Sequence, residues 1–396
     1  MRFVRTVSTS IAVILAVALT SWIIDRPWSE AGAIAKAQRL AERGAAQGRW
    51  ASMSLAFVAP GRVISAESYG FADIETARAM TPATPMPIGS ISKVIIGAAA
   101  AVEADAGRLD LDAPISTYWP DAPDALSGVT FRHLATHTGG IRDSEAGYEG
   151  QAYAQGTLTH PVPLGRFLTD YLTPSGAHYA AGTVGVTEPG AVHAYSNVGA
   201  ALAAHILAET TGTPFALLTQ GHVFDPLVLT ATWDATQAPG RATLYEPGEG
   251  GALAPLEPYA LATWPDGGLN ATLNDLARLL ATYMGGGRFE DARLLPADAI
   301  QTQTTLATRG KPGMDDTMAD GLFWQAERVS LPTLSLDVVG HSGGDPGVLT
   351  MMYQVIGTKR GFVVMVNGMR DDPVTLFHAL RLLTAIKRAA VLADEP

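Results

Sequence analysis

Residues 33–50 are rich in helix formers whose apolar members recur on one side, which predicts a helix. The pattern then changes period: residues 53–58 and 63–69 read as two strands around a Pro60-Gly61 turn, a hairpin. Beyond Ser90, helical spacing returns at Val94, Ile95, Ala98, Ala101 and Val102, until Gly107 stops the run. Further helices are predicted near 198–209, 214–221 and 273–283, separated by loops rich in Gly, Pro, Thr and Asp. From 141 to 194 no period dominates, and so long a stretch reads as a functional rim rather than a connector. Strands return at 334–339, 348–356 and 361–367, and a last helix at 373–392 places Leu376, Leu380, Leu383 and Ile386 on a core face. Early and late strands are expected to pair into one antiparallel sheet enclosing a mainly helical insertion, roughly 107–330, in an α+β fold.

The first residues stand apart. Arg2 and Arg5 precede an apolar run, 11–19, that continues weakly through Trp22-Ile23-Ile24 before Asp25-Arg26-Pro27. A basic end followed by a short apolar segment is the pattern of an export signal. An uncleaved membrane anchor is the rival, because no small-x-small site follows at once and the segment lies near the lower length limit for a bilayer span. Residues 1–30 are therefore set apart from a folded domain at 31–396. The expected location is exported and periplasmic, or alternatively anchored to the inner membrane with the domain outside the cytoplasm.

Composition narrows the chemistry. With 47% hydrophobic and 16% charged residues, the 396-residue chain has the makings of one large core. The net charge of -11 is spread without a long basic block, which argues against an extended nucleic-acid surface. The absence of cysteine excludes disulfides and thiolate catalysis. His133 and His137 have i,i+4 spacing, but Leu-Ala-Thr between them supplies no carboxylate, so local hydrogen bonding or packing is expected of them rather than a metal. Gly285-Gly286-Gly287 lacks the strand, helix and lysine context of a phosphate loop and reads as a turn.

Three short words carry candidate chemistry. In Ser90-Ile-Ser-Lys93 the first and last residues share one side of the predicted helix near its amino end, where N–H groups favour developing negative charge. Lys93 is one of five lysines against twenty-two arginines and lies in a strongly apolar helix. A buried ammonium is costly unless paired or neutral, and a neutral amine would accept the Ser90 proton. Tyr195-Ser-Asn197 begins another helix; Tyr195 can exchange a proton and Asn197 offers both a donor and an acceptor. His341-Ser342-Gly343-Gly344 ends a predicted strand, where glycines admit close backbone approach and His341 can orient a substrate or move a proton. The Gly344 N–H is a candidate second half of an oxyanion hole. Taken singly, each word is as well explained by a helix cap, ordinary packing or a flexible turn.

In this order the three words resemble the serine beta-lactamase-related hydrolases and D,D-peptidases, specifically the branch of class C beta-lactamases, D,D-carboxypeptidases, D-aminopeptidases and esterases. Gly70-Phe-Ala-Asp73, Gly107 to Asp112, His133 to Gly140 and Pro265-Asp-Gly-Gly-Leu269 are similar to further family landmarks, extending the resemblance over about 35–390. The resemblance implies a beta-lactamase/transpeptidase-like fold, no metal or organic cofactor, and a Ser90 acyl-enzyme. It further implies that Lys93 and Tyr195 manage the proton, that Asn197 holds Lys93 and the substrate amide, and that Ser342, Gly343 and Gly344 flank the substrate. His341 stands where many true beta-lactamases use lysine, which favours an esterase, D,D-peptidase or D-aminopeptidase over a beta-lactamase. Asn270 replaces the usual serine after Gly-Gly-Leu, and no class A style Glu-x-x-x-Asn element supplies a separate deacylating glutamate. The implied partner is a small ester or amide, or a D-amino-acid-containing peptide. The alternatives are a weak beta-lactamase or a noncatalytic cell-envelope binding protein that retains the pocket.

Overall fold

The computed structural model describes residues 29–293, 295–331 and 334–393. The apolar segment read as an export signal or anchor lies outside them. Among the described residues no helix is long and apolar enough to cross a membrane.

Helix α1 (Glu30–Ala46) starts behind Ser29, whose hydroxyl accepts the Gly32 N–H. The hairpin follows as β1 (Trp50–Ala59) and β2 (Arg62–Asp73), with Gly61 at φ +71° in the turn, a conformation glycine adopts without strain. Four later strands, β3 (Gln325–Leu331), β4 (Leu334–Asp345), β5 (Val348–Val355) and β6 (Gly361–Met369), run antiparallel in sequence order. Strand β6 then pairs with β1, so the two ends of the chain close one antiparallel sheet, edged by the short strands Ala319–Asp320 and Arg78–Ala79.

Strand β1 is buried at every position because both sheet faces are covered. Its alternation sends Leu55 and Phe57 towards α1 and the final helix α5 (Pro373–Leu392), where they meet Leu40, Leu382 and Ile386. Ala56 and Val58 face the other way, into a core with Leu276 and Leu280 of α4 (Leu273–Met284) and Val94 and Ile95 of α2 (Ser92–Asp105). A third core fills the helical region, where α3 (Asn197–Thr211) packs Val198, Leu202 and Ile206 against Phe131, Phe167 and Leu172. Each such side chain, fully buried, contributes roughly 1.5–3 kcal/mol. Helix α2 belongs to both cores, Ile95 on one side and Ile96 on the other, and is buried from Ser92 to Ala101. An all-round apolar helix must lie inside the molecule, and its amino end, which carries Ser90, therefore opens at the junction of sheet and helical region.

The structure departs from the sequence reading in four places. Strand β3, within the span assigned to the helical insertion, is part of the sheet. Helix α4, in the same span, packs on the sheet rather than with the other inserted helices. The aperiodic stretch 141–194 contains a helix, Leu164–Leu172, and a short strand, Tyr153–Gln155. Finally, α5 is rolled: Leu376 is 57% exposed, and the inward line runs through Thr375, His378, Leu382 and Ile386. The inward polar residues are satisfied, His378 by the Leu40 carbonyl and Thr375 by Asp372, so counting apolar residues alone misplaced the face.

Candidate active site

Ser90 lies in a 3-10 turn, Gly89–Ile91, that leads directly into α2. Gly89 takes φ +54°, and a Cβ there would stand 3.0 Å from the Gly344 nitrogen, so the turn is pressed against β4. From the opposite side, a Cβ on Gly343 would stand 2.2 Å from the Ile88 oxygen and 3.0 Å from the Ser90 nitrogen. Thr350 of β5 secures the crossing by donating its hydroxyl to the Ile88 carbonyl at 2.7 Å. The crossing therefore sets the backbone nitrogens of Ser90 and Gly344 beside one another. His341-Ser342-Gly343-Gly344 lies at the carboxyl end of β4, which runs on to Asp345.

Lys93 is fully buried, and its ammonium donates to Ser90 Oγ at 3.0 Å, Asn197 Oδ1 at 2.7 Å and the Asp266 carbonyl at 2.8 Å. These contacts match the three protons of a lysine ammonium. Burial pushes Lys93 down, but Tyr195, Asp266 and Asp143 outweigh it and hold the amine above the ordinary lysine range. Of the two ways a buried lysine can be tolerated, pairing or neutrality, these contacts favour pairing: three acceptors meet the amine, and the neighbouring acidic groups offset the cost of burial.

Tyr195 and Asn197 arrive together at the start of α3. Ser196 caps the helix by accepting the Gly199 N–H, and Asp143 anchors the same end through Ser196 Oγ and the Asn197 and Val198 N–H groups. The Tyr195 ring centroid lies 5.1 Å from Lys93 Nζ, and the residue is 38% exposed, so it borders the open cleft. On its other side it meets His137.

His341 is 2% exposed, and its Nδ1–H donates to the Ser342 carbonyl at 2.5 Å. Burial first, then the Lys93 charge, push its pKa down to about 4 against that hydrogen bond. A neutral imidazole with its proton engaged at Nδ1 presents only a lone pair at Nε2, an atom that makes no hydrogen bond among the described residues. Of the two roles its position suggests, orienting a substrate or moving a proton, this geometry suits the first, with Nε2 as an acceptor.

Sequence reasoning missed several members of the site. Asp266 contributes through its carbonyl, and its carboxyl, hydrogen-bonded by Tyr148, is raised to about 7 chiefly by burial. It lies within Pro265 to Leu269, a visible word without a chemical signal. Asp143 comes from the aperiodic stretch, where nothing marked it. His133 and His137 act locally: His133 Nδ1 accepts the Thr130 N–H, and His137 Nδ1 accepts the Ser196 N–H. Of the tyrosines in the rim, Tyr171 is buried in the helical core, Tyr179 packs at that core's edge and Tyr153 reaches Asp345. Among the described residues no group of three His, Asp or Glu side chains is placed to hold a metal.

Known proteins give this arrangement its context. The chain is 26% identical over 170 residues to the putative penicillin-binding protein PbpX of Bacillus subtilis, covering 43% of this chain but only 38% of that one. It is 26% identical over 304 residues to the D-alanyl-D-alanine-carboxypeptidase/endopeptidase AmpH of Escherichia coli K12, covering 73% and 72%. The D-amino acid amidase of Ochrobactrum anthropi SV3 superposes with a TM-score of 0.70 at 22% identity over 90% of this chain and 99% of that one, a likeness of fold. The beta-lactamase family model matches residues 37–385, from α1 into α5 and across every segment that meets at Ser90. The chain belongs to the beta-lactamase family and is a serine hydrolase of amide or ester bonds.

Proposed function

We propose that the chain is an exported hydrolase that cleaves ester or amide bonds of small D-amino-acid-containing molecules through an acyl-enzyme on Ser90. The observation that carries this reading is the fully buried Lys93 ammonium, hydrogen-bonded at once to Ser90 Oγ, Asn197 Oδ1 and the Asp266 carbonyl. No packing need explains a charge so placed, whereas stabilising an attacking serine oxygen does.

In this reading Ser90 Oγ attacks the substrate carbonyl and its proton passes to Tyr195, which enters the step as a phenolate beside the Lys93 ammonium, while that ammonium stabilises the charge that develops. The N–H groups of Ser90 and Gly344 receive the oxyanion. The bond to the leaving nitrogen or oxygen breaks, and Tyr195 returns the proton to it. Water then attacks the acyl carbon, gives a proton to Tyr195, and the Oγ–acyl bond breaks as Ser90 regains its hydrogen. Asn197 fixes Lys93 and borders the substrate amide, and neutral His341 offers an acceptor on the far wall. The names of the carboxypeptidase and amidase relatives support the D-amino-acid preference. The absence of lysine at position 341 supports placing cephalosporins below it.

Pre-steady-state hydrolysis of p-nitrophenyl acetate tests the chemistry: one equivalent of p-nitrophenol should appear as a burst with acetyl mass on Ser90, and Ser90→Ala should abolish both. Normal turnover by that variant would overturn the proposal. A panel of short p-nitrophenyl esters, D-Ala-D-Ala peptides and a chromogenic cephalosporin ranks the substrate classes.

A further inference from the structure

Next to the Ser90 turn lies a cavity of about 350 Å³ whose walls are mainly apolar, with Val162, Leu164, Trp233, Leu261 and Trp264 among them. Gly267 forms part of its lining, and a Cβ there would stand 3.9 Å from the Gly89 carbonyl carbon and 3.9 Å from Asp345 Oδ2. A bare glycine backbone is thus what lies between the cavity and the catalytic turn.

Asp345 also lines this cavity, at the end of β4 and one residue beyond Gly344. Alternation along the strand sends its side chain to the same face as Gly343, whose Cβ would point at the Ser90 nitrogen, roughly 7 Å along the strand. Tyr153 donates to Asp345 Oδ1 at 2.8 Å, and Tyr259 hydrogen-bonds the same carboxyl. Among the described residues Asp345 makes no ion pair. Arg241, which lines the same cavity, donates instead to Asn270 Oδ1 at 2.8 Å. A largely buried carboxylate held by two phenols, with no ion pair and only the Lys93 charge acting on it from a distance, is costly in the empty site and is relieved by a ligand that brings a cation into contact.

We propose that Asp345 is a specificity residue that receives a free ammonium on the acyl half of the substrate, while the aromatic cavity receives a bulky apolar side chain. This deepens, and for its chemistry rests on, the Ser90 reading above. It assigns to the enzyme acyl groups that carry an unblocked amine, as in an amino-terminal aromatic D-amino acid, and disfavours their N-acylated counterparts.

The test compares D-phenylalanine p-nitroanilide with N-acetyl-D-phenylalanine p-nitroanilide at a pH where the free amine is protonated. The wild-type protein should prefer the free amine by about tenfold or more in kcat/KM, the worth of a charge-assisted hydrogen bond, and Asp345→Asn should remove most of that ratio. Equal rates for the two substrates, or an Asp345→Asn variant that slows both alike, would overturn the assignment. Should Ser90 fail to acylate with any ester, the acyl-transfer reading falls by itself. Calorimetric binding of D-phenylalaninamide to Ser90→Ala, with and without Asp345→Asn, then decides the cavity separately. About tenfold weaker binding on losing the carboxylate supports it, and unchanged binding overturns it.

Discussion

The imidazole of His137 lies on the ring of Tyr195, centroids 4.3 Å apart, and its Nδ1 accepts the N–H of Ser196, the next residue along. One buried side chain thereby fixes both the ring and the backbone of the tyrosine that moves the proton. Burial, then the nearby Lys93 charge, hold His137 well below the usual histidine range, so it stays neutral and keeps Nδ1 as an acceptor. His137→Ala should lower kcat about ten- to hundredfold with a smaller change in KM, since a misplaced proton carrier slows chemistry more than binding. It should also cost about 1–3 kcal/mol of stability by leaving a buried N–H unpaired. His137→Phe should recover part of the rate but not the stability, because it restores the ring and not the acceptor. Steady-state kinetics and urea unfolding separate the two effects.

Adjacent glycines in β4 should respond in opposite ways. Gly343→Ala would place a Cβ 2.2 Å from the Ile88 oxygen and 2.5 Å from Thr350 Oγ1, forcing the strand off the Ser90 turn, whereas a Cβ on Gly344 meets nothing within 4 Å. Gly343→Ala is expected to lower kcat/KM about a hundredfold or more by separating the oxyanion donors. Its melting temperature should fall as well. Gly344→Ala should melt within a degree or two of the wild type. Thermal melts and ester hydrolysis on the pair check both statements.

These contrasts show where the sequence was readable. Ser90, Lys93, Tyr195 and Asn197 were legible because each sits in a short word at the start of a helix, where local spacing dictates which side chains share a face. The sheet was legible for a related reason: β1, β2, β5 and β6 are short segments rich in apolar and β-branched residues, bounded by turn signals. Asp266 was not, because it acts through a backbone carbonyl, which no residue type advertises. Asp143 and Asp345 were not, because their partners, the α3 end and Tyr153, come from distant chain segments. Nor was the protonation of Lys93, since an apolar helix signals burial and says nothing of the carboxylates that other loops bring to its tip.

The charge of Lys93 can be separated from its bulk. Lys93→Met keeps a flexible side chain of similar length but removes the donor to Ser90 Oγ, at a cost of about 1–3 kcal/mol of stability for each buried acceptor it leaves unpaired, Asn197 Oδ1 and the Asp266 carbonyl. This variant should fold, by circular dichroism, and lose about a thousandfold or more in acylation rate, within the range of acid–base contributions. A folded variant that still labels Ser90 at the wild-type rate would show that Lys93 serves only packing.

Asp266 supplies a test in the pH dependence of stability. Its carboxyl is raised from 3.8 to about 7 in the native protein, mainly by burial. Between these values the unfolded chain loses the proton that the native chain keeps. The native state then binds more protons, and stability falls as pH rises through this window. Asp266→Asn removes this titration while preserving an oxygen for the Tyr148 hydroxyl. Relative to wild type, the variant should therefore gain stability steadily from about pH 4 to pH 7, by up to about 4 kcal/mol, and hold that gain above pH 7. His341, lowered to about 4, acts with the opposite sign: its contribution is present above the unfolded histidine value and is lost as pH falls towards 4. Because both proteins share His341, its effect cancels in the difference. Urea unfolding of the two proteins at intervals from pH 4 to pH 9 measures that difference directly, and a flat line would mean that Asp266 ionises in the folded protein as it does in water.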